Sequence, residues 1–581
     1  NSTGGNNIAI GIDALKVNTT ASNNTAIGYN SLKSNTTGTQ NVAVGAFALD
    51  ANTTANNNTA VGYLSLSDNT TGTGNTALGR LALVANTTAN DNTAIGLNSL
   101  ATNTTGANNT ALGANALDSN TTGNGNTGIG RVSLDANTTG SRNTAIGAES
   151  LLNNTTASDN TAIGKDALKA NTTGEQNVAV GSLALDALTT ADHNTAVGYN
   201  SMSDTTTGSE NTAVGQGSLG TNTTGSNNTA IGHAALVLNT TASNNTAVGK
   251  DALFNNTTGS HNTAIGLQAL DANQTGEKLT AVGSNALGAN TASQNTAMGY
   301  FALSNNTTGD LNTAIGVQAM HINTTGANNT AIGHFALDAN TTASNNTAIG
   351  RQSLTSNTTG AANTAVGLNS LQLNTTASNN TAVGQSALQL NTTGTSNVAV
   401  GALALDANTT ASNNTAVGQS ALTANTTGAS NTAVGAFSLT SVTTGEQNSA
   451  VGRGALSDNT GSSNTAVGYN ALTSNTSASG NTAVGRRALE VNTTGSGNTA
   501  VGSSALDANT TGSNNTSVGF NSLDANTANS NTAVGASALE LNTTGEKNCA
   551  FGHNALVFNT TGENNCAYGF SSLFNVTTGS G

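Results

Sequence analysis

Proline and tryptophan are absent from this chain of 581 residues, cysteine occurs only twice, and Asp, Glu, Lys and Arg together make up 7%. No linker, charge block or change of composition divides it, so a length that would suit several domains reads here as one. Aromatics at 3% and the dominance of Asn, Thr, Gly and Ala set the chain apart from ordinary globular enzymes. The 14 basic residues are scattered and the net charge is −14, which argues against a nucleic-acid partner. No apolar run approaches the ~18 residues of a membrane-spanning helix, and no signal peptide opens the sequence. The chain starts inside a motif at Asn1-Ser2-Thr3-Gly4 and stops inside it at Thr577-Thr578-Gly579. It reads as part of something longer, with targeting and anchoring segments expected outside it.

What is present is one repeated unit. Aligned on the Asn of NTAIG, it starts at Asn7, Asn24, Asn41 and so on to Asn565, giving 34 units, 31 of seventeen residues and three of sixteen. The consensus is N-T-A-[VI]-G-x-x-[AS]-L-x-x-N-T-T-[GA]-x-x. Low charge with so much Asn and Thr would suit a disordered tract, but the strict spacing of apolar residues argues against that. A period this short cannot hold a pair of helices, so each unit is read as one coil of a parallel β-solenoid, an all-β fold. The division expected is a repetitive solenoid over 1–547, followed by two final coils over 548–581 that belong to the same solenoid and act as cap or junction.

Each position carries an expectation. The fourth, Val or Ile almost throughout (Ile27, Val44), and the ninth, Leu or Met (Leu32, Leu49), are assigned to the core. The second position, two residues before the fourth and so on the same strand face, exchanges Thr for Val42, Ile8, Cys549 and Cys566 and is also assigned inward. Gly is invariant at the fifth position (Gly11, Gly28, Gly45, Gly62), as a backbone corner with φ > 0 or tight crowding would require. Asn at the first and twelfth positions suits left-handed backbone and amide ladders between coils. The alternation then leaves the third position outward, and its small residues (Ala26, Ala43, Ala60, replaced only by Gly128 and Ser517) point to close approach of another surface. Homo-oligomerisation through this Ala face is expected. Ala or Ser at the eighth position fits either similar crowding or a tight corner.

NTAVG and NVAVG, followed by a small-residue-Leu pair and NTTG, resemble the head repeats of trimeric autotransporter adhesins, and similar repeats occur in phage tail fibres. The resemblance covers all 34 units. It implies a left-handed parallel β-roll, three chains side by side and a role in surface attachment. The unit is longer than the usual adhesin head unit, and neither a coiled-coil stalk nor a membrane-anchoring barrel is present.

Other motifs are weak as chemistry. Gly215-Gln216-Gly217-Ser218-Leu219-Gly220 matches a dinucleotide fingerprint, but no helix follows to receive a pyrophosphate. The six histidines, His193, His233, His261, His321, His334 and His553, fall at variable positions on coils mostly far apart and suit solvated turns rather than a metal. Asp recurs at the tenth position, with the neighbouring-coil pairs Asp118–Asp135 and Asp507–Asp524, yet calcium would need further oxygen ligands. No catalytic, metal or cofactor site is assigned, and the chain is not expected to be an enzyme. Asn-Thr-Thr is formally a glycosylation sequon, though its fixed place in the coil favours a hydrogen-bonded ladder.

The function expected is a structural and adhesive extracellular fibre segment at a cell or virion surface, with itself and a host surface or glycan as partners. The alternatives are a phage tail-fibre shaft or carbohydrate-processing fibre and, third, an ice-binding repeat. The third ranks low because adjacent Thr residues of Asn-Thr-Thr point to opposite faces, leaving one column where a lattice-matching face would want two. At the C-terminal end, Cys549 and Cys566 share one position on neighbouring coils ~4.8 Å apart, within the range a disulfide allows; the other reading is buried free thiols. Five aromatics in the last two units (Phe551, Phe558, Tyr568, Phe570, Phe574) are expected to thicken the core there. The sixteen-residue units 279–294, 448–463 and 515–530 are expected to keep register through tightened turns.

Overall fold

A computed structural model describes residues 3–581 and shows an all-β parallel β-solenoid with no helix among them. Asn1 and Ser2, the opening of the first motif, lie outside the described residues. The chain forms two compact units, Asn1–Gln294 and Asn295–Gly581. Among the described residues there are 34 strands of three residues each, one per repeat, from β1 (Ile8–Ile10) to β34 (Cys566–Tyr568). The first unit carries β1 to β17 (Thr280–Val282), and the second carries β18 (Thr296–Met298) to β34.

Within each unit every strand pairs in parallel with the equivalent residues one repeat away, as in Thr25 with Val42, Ala26 with Ala43 and Ile27 with Val44. Identical sequence stacked on identical sequence fixes this register. The turns stack as well: the N–H of Leu32 donates to the Ala48 carbonyl at 2.9 Å and that of Thr36 to the Thr53 carbonyl at 2.9 Å. The backbone therefore finds its partners between coils over most of the unit.

The invariant Gly is the corner expected. Gly28 sits at φ +136°, and a Cβ there would lie 2.4 Å from the Gly45 carbonyl oxygen of the next coil, so no side chain fits. Asn30, Leu32 and Gln40, at the seventh, ninth and seventeenth positions, are also left-handed, with φ of 57°, 50° and 59°. A left-handed Leu costs roughly 1–2 kcal/mol. Its complete burial, worth about 1.5–3 kcal/mol, offsets that cost coil after coil.

The strand faces are the reverse of those expected. Ala26, Ala43 and Ala60 are fully buried, while Ile27 and Val44 are only half-buried and Thr25 lies outward with them. The interior is already filled by Leu at the ninth position and Ala or Ser at the eighth. A Cβ added at Gly128 would meet Leu117 Cγ at 3.2 Å and Ser133 Oγ at 3.2 Å, which leaves room for a methyl group and little more. Leu32 and Leu49 are core residues as expected, and Ile27 and Val44 are not. The small third position is explained by packing inside the coil, and the Ala face offers nothing to another chain.

Two columns of asparagine complete the interior. The Asn24 amide donates to the Gly38 carbonyl at 2.9 Å, and so does that of Asn35, also at 2.9 Å, so both ladders converge on one corner. Buried amides stacked this way satisfy one another along the axis. In the short repeats the amides of Asn459 and Asn526 reach carbonyls two residues on rather than three, at 2.9 and 3.0 Å. Register continues past both, Val451 pairing with Val467 and Val518 with Val534. In 279–294 the Asn290 amide likewise reaches the Ala292 carbonyl, at 2.7 Å.

Candidate functional surfaces

Two surfaces carry the chemistry that the coil presents to solvent. The first is the outer face of the strands, built from the second and fourth positions. Its side chains recur every ~4.8 Å along a unit and stand ~6.7 Å apart across each strand. Val or Ile fills one column, with Leu78 46% and Ile265 40% exposed. Thr fills most of the other, and the hydroxyls of Thr25, Thr59 and Thr76 bond to nothing among the described residues. Thr36 of Asn-Thr-Thr differs, because its hydroxyl donates to the Thr53 carbonyl at 3.1 Å. The Asn of that motif is buried and bonded, so the sequon works as a ladder in the folded chain.

Cys549 and Cys566 belong to this outer face. They are register partners on the last two strands, but Cys549 is half-exposed, Cys566 is exposed and no bond joins them. The inward position expected of them is corrected with that of the whole column. Burial and the neighbouring Cys566 raise the Cys549 thiol above its ordinary pKa. The aromatics of this end also lie outside rather than thickening a core: Phe551 stacks on Tyr568 with ring centroids 4.8 Å apart and Phe570 is 78% exposed.

The second surface is a shallow groove between the seventh and tenth positions. Lys169 at the tenth bonds Asp166 at the seventh at 3.1 Å and Glu149 at 2.8 Å, and Arg487 pairs with Glu490 across the same gap. Asp50, Asp118, Asp135, Asp271 and Asp338 line the tenth row and are partly buried, which raises each carboxyl above the ordinary carboxylate range. Asp524 is pushed up to about 6, by burial first and then by Asp507 and Glu540. Two open cavities lie in this groove. One of about 290 Å³ is bounded by Asp251, Phe254, Gln268 and Asp271. The other, of about 250 Å³, is bounded by Phe437, Arg453, Tyr469 and Asn470 around Gly454.

The remaining motifs are dispersed. His321 Nδ1 lies 3.1 Å from Ser304 Oγ, and His233 is 3.9 Å from Asp251. No group of three metal-capable side chains forms among the described residues. Of the nucleotide-like glycines, Gly215 is a corner at φ +136° and Gly217 a left-handed residue at the seventh position. The groove went unnoticed in the sequence because its rows are variable positions; the recurrence of Asp at the tenth was its only signal. Compared with known proteins, the chain matches no family model and no curated relative.

Proposed function

We propose that this chain is a structural and adhesive segment of an extracellular fibre at a cell or virion surface, whose copies associate side by side, as a homotrimer, through the outer strand face. The observation that carries the reading is the outward column of half-buried to exposed Val and Ile beside Thr, repeated on coil after coil. Contiguous exposed apolar surface of this kind is a feature of interaction faces, and β-branched side chains on a repeating strand are suited to pack against a copy of themselves. The number three comes from the resemblance to adhesin heads. Many equal coils then give reach and weak contacts multiplied along the fibre. Replacing Ile315, Ile332, Ile349, Val366, Val383 and Val400 by Gln tests this: the native mass should fall while the circular dichroism stays β. An unchanged mass in the variant would sink the reading.

A second reading follows from the same correction of faces. The strand Thr-Ala-Val presents two outward columns, and its free hydroxyls alternate with methyl groups on a regular two-dimensional spacing, which favours ordered water or ice as a ligand. Thermal hysteresis in freezing solutions of the chain supports it, and its absence removes it. Release of product from polysaccharide by the chain would favour the carbohydrate-processing alternative over both.

A further inference from the structure

Eleven of the sixteen Phe and Tyr side chains sit at the sixth or seventh position, beside the groove, and none at the sixteenth or seventeenth. The deeper chemistry of this edge is at Gly454. Every coil turns left-handed at the seventh position; Gly454 does so at φ +68° and, like Gly217, has no side chain there, but it lies between the side chains of Phe437 and Asn470 on the flanking coils. The missing side chain leaves the 250 Å³ notch. Tyr469 forms one wall, 44% exposed, with the Arg453 guanidinium 6.0 Å from its ring centroid, and Phe437, 40% exposed, forms another. Asn470 Oδ1 points into the gap, since a Cβ on Gly454 would lie 2.6 Å from it. Ser457 and Thr473 add hydroxyls at the tenth position.

We propose that this notch is a carbohydrate subsite that takes one pyranose ring of a neutral glycan, with the rest of the sugar chain lying along the groove. The inference rests on the adhesive reading and names its ligand class and site. Aromatic faces suit the apolar C–H face of a pyranose, as they suit other flat partners with one apolar side, while the Asn470 oxygen, the Arg453 donors and the two hydroxyls suit its ring substituents. Glu490, at the tenth position of the following coil and accepting the Asn470 amide at 3.2 Å, disfavours an acidic glycan or nucleic acid. An extended peptide would need free backbone groups, and those here are taken between coils: Gly454 N–H donates to the Ala436 carbonyl at 3.1 Å and Asn470 N–H to the Arg453 carbonyl at 3.1 Å.

The test uses the whole chain and four neutral probes, cellohexaose, maltohexaose, xylohexaose and chitohexaose, read by titration calorimetry and saturation-transfer NMR. At least one should bind. Gly454→Asn fills the notch with a residue that the seventh position already carries left-handed on consecutive coils at Asn98 and Asn115, so the fold is retained. This variant and Tyr469→Ala should each weaken binding tenfold or more, whereas Tyr29→Ala, on a ring 48% exposed whose neighbouring seventh positions, Asp13, Asn30 and Phe47, all carry side chains, should leave it unchanged. Retained binding in either notch variant overturns the subsite. Failure of the parent to bind any of the four overturns it too; adhesion of the same parent to cells or host protein would then show that the fibre reading stands without it.

Discussion

The side-chain oxygen of Asn24 accepts two hydrogen bonds from Asn41 one coil away, from its backbone N–H at 2.9 Å and from its amide at 3.2 Å. Asn41 passes the pattern on, accepting the N–H of Asn58 at 3.0 Å. Asn41→Ala should therefore orphan the buried Asn58 N–H at a cost of about 1–3 kcal/mol. A long array unfolds locally rather than all at once, so the readout is amide exchange. Exchange at Asn58 and its neighbours should accelerate about ten- to a hundredfold, with distant coils unaffected.

Thr205 breaks the second ladder. It is fully buried at the twelfth position, its hydroxyl has no hydrogen bond, and Leu188 occupies the equivalent place one coil before. Thr205→Asn restores an amide that can reach the Gly208 carbonyl, as the Asn222 amide reaches Gly225 at 2.9 Å. The substitution should stabilise these coils by about 1 kcal/mol, seen as slower amide exchange over residues 194–227.

Gly215 and Gly217 have opposite tolerance. A Cβ on Gly215 would meet the Gly232 carbonyl oxygen at 2.4 Å at a φ of +136°, whereas one on Gly217 meets nothing within 4 Å at +64°. Gly215→Ala should cost about 3 kcal/mol or more, and Gly217→Asn should be close to neutral. Chemical denaturation of the two variants beside the parent checks the contrast.

The second unit should become more stable on mild acidification around Asp524. Its folded pKa of about 6 stands above the ordinary 3.8. The protonated form favours folding, so this contribution is fully present below about pH 4 and is lost as the pH rises through about 6. Asp507, raised by burial, adds in the same direction. Asp159 and Asp166 in the first unit have the reverse sign, since bonds from Arg142 and Lys165 lower them. The opening free energy over 498–547, taken from amide exchange relative to the intrinsic rate at each pH, should rise between pH 7 and 5, and Asp524→Asn should flatten that dependence.

The solenoid, its period, the Gly corner and the Leu core were legible in the repeat because each depends on spacing alone. The strand face was not, because Thr-Ala-Val alternates equally well in either orientation. Which set turns inward depends on how much room Leu117 and Ser133 leave beside Gly128, a volume that no period-two pattern encodes. Taking the β-branched columns, and the cysteines that exchange into them, as core placed Ile27, Val44, Cys549 and Cys566 on the wrong side. It also demoted the one face with two outward columns. Left-handed Leu32 had no sequence signal either, since bulky side chains ordinarily avoid that backbone.

The three methionines test this account most directly. Met298 stands at the fourth position and is 42% exposed, whereas Met202 and Met320 at the ninth are fully buried. Peroxide oxidation followed by mass spectrometry should be run on the parent and on the variant with Gln at Ile315, Ile332, Ile349, Val366, Val383 and Val400. Met202 and Met320 should resist in both, and Met298 should be protected in the associated parent and oxidise quickly once the variant opens the face. Met298 as slow as Met202 in a variant shown to be a single chain would contradict the orientation of the strand, and Met298 equally fast in parent and variant would contradict its role as the face where copies meet.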